Sequence, residues 1–388
     1  MRASAVGGEI LARDPALDGL RGLAIALVLV DHVFPLAPTS TALAAARMVA
    51  GSLFIGVDLF FVLSGFLITT ILIRTRASPQ YFRNFYARRI LRIFPAYYLI
   101  LTFVFVFGSA VFHNFPDRAQ VLENAPYFLF YVQNLVMSWR GEWIFWIGLV
   151  PTWSLAIEEQ FYLIWPAVVL FTVPRRLVPT CLSVALVSVI LKVYLATKTA
   201  PLTGAYMCTF SHMEGLAAGA ALAAWTSSNP GRPFPAWLSW LGIGALVCLA
   251  AELAAWAAQL LSAAVHMVAT VTLASILFSW VVAETLMAPR SAVLSRVLQA
   301  RPLVFLGTYS YGVYLIHSIV LARVAPMLHG WQSALGKNGG IVAAGVVMVC
   351  ITLLLAVAMF HVIERPMLQL KRYFVPRGIK PVPAAPLQ

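Results

Sequence analysis

The sequence predicts an all-α polytopic membrane protein, and three observations carry that prediction. Of its 388 residues 61% are hydrophobic and only 11% charged, its mean hydropathy is +0.86, and its apolar residues gather into runs long enough for a hydrocarbon core of about 30 Å. The formal charge of +13 is the lysine and arginine excess of cytoplasmic loops rather than a basic patch, so nucleic acid is not an expected partner; membrane lipids are. Four cysteines, Cys181, Cys208, Cys248 and Cys350, fall in or beside the apolar runs without metal-like spacing. They read as small buried residues, and no metal is expected.

Ten spans are predicted, near 19–36, 52–73, 91–112, 154–173, 178–196, 206–225, 236–256, 263–286, 303–326 and 341–362. The charges between them set the orientation. Arg74, Arg76, Arg83, Arg88 and Arg89 follow the second span, Arg175 and Arg176 the fourth, Arg290, Arg296 and Arg301 the eighth, and Arg365, Lys371, Arg372, Arg377 and Lys380 the tenth. With both termini cytoplasmic these are all inner loops of a bacterial cytoplasmic (inner) membrane protein. The stretch 113–153 is aromatic but cut by Pro126, Gly141 and Pro151. One extra span there would invert everything after it, so it is read as a re-entrant or interfacial segment on the outer side. Residues 1–362 then form one integral-membrane domain, and 363–388 a basic, proline-containing, disordered cytoplasmic tail.

Charges inside spans are costly and mark partners, cavities or reactions. His32 near the end of the first span, Asp58 near the start of the second, and Glu158 with Glu159 near the start of the fourth all fall at one outer level. An imidazole with a carboxylate is what acyl transfer to a hydroxyl requires, as general base or acyl carrier with an orienting acid. The alternatives are a buried histidine bonded to a neighbouring helix, a carboxylate at a helix N-terminus for Asp58, and a capping box around Thr152 or Ser154 for one glutamate. Adjacent glutamates point about 100° apart, so one at most faces a given site, and Glu158 is the choice made here.

Arg21 and His32 are eleven residues apart, which returns to nearly the same helix face roughly 16 Å along the axis. At the inner level Arg21 is joined by Arg89 and Arg92, three apart on one helix face and suited to phosphate. Ser310, Tyr314 and His317 form a polar stripe on the ninth span, where packing or helix–helix hydrogen bonding is the expected role of His317.

Together with Gly56-Val57-Asp58-Leu59-Phe60-Phe61-Val62-Leu63-Ser64-Gly65, Trp153-Ser154-Leu155 through Tyr162, and Tyr309-Ser310-Tyr311-Gly312-Val313-Tyr314-Leu315-Ile316-His317, these segments resemble, in order and spacing, acyltransferase family 3 over about 17–366. Ile316 stands where the family often has an aromatic. The resemblance implies a membrane O-acyltransferase that acetylates surface glycans such as O-antigen, exopolysaccharide or lipopolysaccharide, with acetyl-CoA as donor and a glycan or lipid-linked saccharide as acceptor. It implies Arg21 and His32 as the essential arginine-to-histidine motif and Arg89 and Arg92 as a paired-arginine motif, with Ser64, Gly65, Trp153, Ser154 and Glu158 in other recurrent segments. Some members carry a C-terminal hydrolase-like domain, which these 388 residues are not expected to hold. The working assignment is His32, Asp58 and Glu158 as catalytic and Arg21, Arg89 and Arg92 as donor-binding, with Ser64, Trp153, Ser154, Glu159, Tyr314 and His317 as further candidates. A macrolide acceptor or a longer acyl group are variants of this reading. A glycan or lipid transporter is the rival class, against which stands the lack of a paired, interrupted repeat.

Overall fold

The computed structural model describes residues 14–33, 47–112, 115–144, 146–198, 202–289 and 292–374, and the regular structure among them is helical throughout. In chain order the helices are α1 (Pro15–Val33), α2 (Gly56–Thr75), α3 (Tyr81–Val111), α4 (Arg118–Leu129), α5 (Gln133–Arg140), α6 (Thr152–Phe171), α7 (Pro174–Lys198), α8 (Thr203–Met207), α9 (Glu214–Ser228), α10 (Ala236–Ala257), α11 (Ala263–Met287), α12 (Val293–Leu298), α13 (Arg301–Val324), α14 (Leu328–Met359) and α15 (Arg365–Gln369). The protein is an all-α polytopic membrane protein. Among the described residues seven helical stretches are long and apolar enough to cross a bilayer, the last of them, Arg301–Tyr373, containing both α13 and α14. α1 carries Asp18, Arg21 and Asp31 within 19 residues, and α9 has only 15, so neither belongs to the seven. Their outward faces are apolar, with Leu163, Ile164, Val187, Ile190, Val247 and Leu354 exposed, as lipid contact requires.

Four predicted boundaries move. α3 begins ten residues before the predicted span, because Tyr81 to Ile90 continue the helix and carry Arg83, Arg88 and Arg89 on it. The predicted 206–225 span is broken: α8 ends at Met207, a 3₁₀ turn covers Thr209–Ser211, and α9 starts at Glu214. α14 is interrupted at Gly336, whose φ of 74° is left-handed backbone that glycine adopts without strain. The tail continues from Glu364 as α15 and a 3₁₀ turn, Leu370–Tyr373, rather than as disordered chain; its remainder from 375 lies outside the described residues. In 113–153 the two short helices α4 and α5 pack on the bundle, with the Tyr97 and Tyr98 hydroxyls donating to Phe128 O and Leu129 O. Cys181 is buried as expected, but Cys248 and Cys350 are exposed, on outward faces where a small weakly polar group meets no packing constraint.

Two glycine-mediated contacts hold the site-bearing helices together. α1 and α13 run parallel: Gly22 lies at Leu303 and Gly307, and ten residues further along both helices His32 meets His317. A Cβ on Gly19, Gly22 or Gly307 would fall 1.8, 1.9 or 1.7 Å from the carbonyl oxygens of Leu298, Leu303 and Asp18. α2 and α9 repeat the device, Gly65 against Leu216 O and Gly219 against Val62 O at 1.9 and 2.0 Å by the same measure. In lipid, where burial of apolar surface gives helices little reason to associate, such close approach supplies the dispersion contacts. Gly307→Ala is therefore expected to cost at least the roughly 1–3 kcal/mol of an overpacked core and to lower the melting temperature in detergent. Gly244→Ala, with nothing within 4 Å of its Cβ, should leave it unchanged.

Candidate active site

A cavity of about 240 Å³ runs along α2, touching it from Val57 to Ile71. Fourteen residues of helix rise about 21 Å, so the cavity covers most of the height of the bundle. Its walls hold Arg21 from α1, Arg89 and Arg92 from α3, and Lys371 from the 3₁₀ turn after α15, with Arg21 and Arg89 in electrostatic range of Glu158 and Arg89 beside Tyr162. The three arginines named from the sequence therefore share one space. Arg21 is paired with Asp18 at 2.9 Å, and the Arg89 guanidinium lies 5.9 and 5.7 Å from the ring centroids of Phe85 and Tyr162, which fixes its plane while leaving its N–H groups directed outward. Halfway along, Glu158 lines the cavity and accepts a 2.6 Å hydrogen bond from Ser64.

At one end the cavity reaches Ser154 and Tyr314, joined at 2.6 Å, with the Tyr314 hydroxyl also donating to Pro151 O at 2.9 Å. One turn further along α13, the His317 ring stands edge-on to His32 with centroids 4.7 Å apart. This contact between α1 and α13 is of the packing kind expected for His317. Both imidazoles are held the same way: Nδ1 of His32 lies 2.9 Å from Val28 O, and Nδ1 of His317 lies 2.7 Å from Tyr314 O. A carbonyl accepts only, so each Nδ1 carries the hydrogen and each Nε2 keeps its lone pair. Nε2 of His317 is buried with no hydrogen-bond partner.

The expected pairing of His32 with Asp58 or Glu158 is not what the structure shows. The carboxylate beside His32 is Asp31, with Oδ2 at 3.4 Å from Nδ1, and Asp31 also takes the backbone N–H of Phe54. Glu158 is bonded to Ser64, and Asp58 to His212 at 3.1 Å. Neither a common height nor a common face holds: six residues before Ser64, to which Glu158 is bonded, Asp58 lies about 9 Å away along α2 and is turned about 120°, toward His212. Glu159 points away from Ser64, and its Oε1 is buried without a partner. Trp153 lies outside the cavity, packed against Tyr206 and His212 with centroids 4.7 and 5.3 Å away.

Two buried polar clusters had a signal in the sequence, charged residues inside predicted spans, that was passed over. In the first, Asp58 and His212 are joined, His212 Nδ1 meets Tyr206 O at 2.7 Å, and Glu214 at the start of α9 takes both Lys192 and Ser188. The break between α8 and α9 turns His212 toward Asp58. In the second, His266 is held between Glu252 at 2.6 Å and Ser52 at 3.2 Å, with its ring stacked on Trp256.

Fold and site together define a class: a helical membrane domain with guanidiniums lining a long cavity and two imidazoles beyond its Tyr314 end, the layout of a membrane acyltransferase. A family profile described as acyltransferase domain, that of acyltransferase family 3, matches residues 14–361, and the chain belongs to this family. It is similar to peptidoglycan O-acetyltransferase OatA of Listeria monocytogenes, with 30% identity over 374 residues, 91% of this chain and 55% of that protein. The putative peptidoglycan O-acetyltransferase YrhL of Bacillus subtilis is 31% identical over 375 residues, 91% of this chain and 54% of that one. O-acetyltransferase OatA of Staphylococcus aureus is 32% identical over 228 residues, 54% of this chain and 34% of the relative. The chain spans about half the length, or less, of these curated relatives. No solved structure matches it.

The Lys192–Glu214 pair gives a test of the first buried cluster. Lys192→Met strands a buried carboxylate and is expected to cost about 3–5 kcal/mol in thermal unfolding, whereas the double variant Lys192→Met/Glu214→Leu should recover most of it.

Proposed function

We propose that the protein is a membrane O-acetyltransferase that moves an acetyl group from cytoplasmic acetyl-CoA to a hydroxyl of a surface glycan. The observation that carries this is the cavity itself, lined by four cations and bounded by Ser154 and Tyr314, one turn from the His317 and His32 pair. Arg21, Arg89 and Arg92 fit a phosphate-bearing donor, since guanidiniums bind phosphate in planar, two-pronged fashion. The apolar lining of the cavity, with Phe60, Leu67 and Ile68 among it, suits an extended, weakly polar arm.

His32 serves as the base. With its Nδ1–H on Val28 O, its Nε2 takes the proton of the attacking hydroxyl. The hydroxyl oxygen bonds to the acyl carbon as the carbon–sulfur bond breaks, and the imidazolium returns the proton to the departing sulfur. Asp31 stabilises the imidazolium in place of Asp58 and Glu158. Glu158 acts within the cavity instead, holding Ser64 and facing Arg89 and Arg21. Orientation with both termini cytoplasmic in a bacterial inner membrane puts the arginines toward acetyl-CoA and the histidines toward the glycan. Peptidoglycan, the acceptor in the names of two relatives, is the favoured glycan.

The test is the ester-linked acetate of purified peptidoglycan, and of other surface polysaccharide, from a deletion strain carrying the wild-type gene or His32→Ala at equal membrane abundance. His32→Ala is expected to lower the acetate by about 10²-fold or more. Undiminished acetylation removes His32 from the reaction, and no acetate dependence on the wild-type gene overturns the reading.

A further inference from the structure

Lys371 is the one cation of the cavity that the motifs do not explain. It sits beyond the last long helix, on the turn Leu370–Tyr373, yet it lines the same space as Arg21, Arg89 and Arg92. The segment that carries it is tied down. After a π-helical turn at Phe360–Glu364, α15 and the turn run against α3, where Arg88 Nη1 donates to Phe374 O at 3.4 Å and the Arg83 guanidinium lies 5.8 Å from the Phe374 ring. Arg83 and Arg88 are thereby engaged in holding the strap, while Arg89 and Arg92, on the neighbouring face of the same helix, point into the cavity.

Four cations and one carboxylate, Glu158, line the cavity; of the cations, Arg21 is paired with Asp18 and Arg89 has Glu159 in electrostatic range. Glu364, buried with Oε1 unpartnered, lies within electrostatic range of Arg92 and Lys371 but behind the wall. Residues flanking Lys371, namely Leu370, Arg372 and Tyr373, are exposed while Lys371 itself is half-buried, so the turn sends this side chain inward to the cavity. Converging like charges cost free energy unless an anion of several charges sits among them. A compact ammonium on a long stem is a point-charge partner for a terminal phosphate, whereas guanidiniums suit a pyrophosphate.

We propose that Lys371 is a donor-binding residue contributed by the C-terminal strap, a fourth phosphate contact that selects a donor bearing phosphate at more than one place. On the acetyl-CoA reading above, on which this rests, Lys371 takes the ribose 3′-phosphate and Arg21, Arg89 and Arg92 take the pyrophosphate.

The experiment measures equilibrium binding of CoA and of dephospho-CoA, which lacks the 3′-phosphate, to the full chain in nanodiscs of zwitterionic lipid, so that no lipid anion competes. The wild type is expected to prefer CoA. Lys371→Gln should weaken CoA by about tenfold or more, the worth of one charged hydrogen bond, and leave dephospho-CoA unchanged. Lys371→Arg, which keeps the charge, should retain the preference. Lys371→Gln weakening both ligands equally or neither, or Lys371→Arg behaving like Lys371→Gln, overturns the assignment. Failure of the wild type to bind CoA overturns the acetyl-CoA reading itself, which the variants do not address.

Discussion

The approach of α1 to α13 is the constraint on which the site depends. Gly22 and Gly307 let two backbones meet where a single methyl group would collide with a carbonyl, as Gly19 does against Leu298 of α12, and the parallel run of α1 and α13 carries that proximity ten residues on, to the His32 and His317 rings. The arginine-to-histidine spacing on α1 has consequences only because α13 lies against it in this register. α2 is fixed in turn by Gly65 and Gly219 against α9, which leaves its opposite side, Val57 through Ile71, to form one wall of the cavity.

Charge is sorted by this arrangement. On one side of α2 lie the cations of the cavity, with Glu158 and Ser64 midway. On the other, Asp58, His212, Lys192 and Glu214 pair among themselves. Two acids with two bases make the second cluster nearly self-neutralising, so it can lie buried between α2, α7 and α9 without drawing an anion. In the cavity, four cations and one carboxylate line open space, while the acids Asp18 and Glu364 are not among the lining residues. That contrast separates a cluster closed on itself from one that faces what enters the cavity.

Much of this was legible in the chain. Apolar length gave the all-α membrane class, with seven helical stretches of spanning length among the described residues against ten predicted spans, and the eleven-residue step from Arg21 to His32 falls within the single helix α1. The Arg89 and Arg92 pair was correctly joined to Arg21 because all three sit at one level and share a charge. Neither azimuth nor exact height was legible: span limits grouped Asp58 and Glu158 with His32, whereas Glu158 meets Ser64, about 9 Å along α2 from Asp58, which turns to His212. Asp31 was overlooked beside His32 because neighbours in a helix normally point apart, and here the carboxylate reaches Nδ1 only at 3.4 Å. The break before α9 was hidden by hydropathy averaging, which counts Thr209 to Met213 among the apolar residues around them. Lys371 was assigned to a tail because its basic, proline-containing surroundings look disordered, and its place follows from Phe374 and two arginines 286 and more residues away.

The glycine contacts also divide the positions that sequence drift can explore. Gly108, Gly148 and Gly242 abut the side chains of Phe115, Trp146 and Trp280, so a larger residue at any of them has a potential suppressor: a smaller partner elsewhere. Gly19, Gly22, Gly65 and Gly307 abut peptide carbonyls, and no second-site exchange of side chains shrinks a peptide group. The first set can coevolve with its neighbours; the second can only stay as it is or lose the helix pairing, a form of invariance imposed by the main chain with no reference to chemistry.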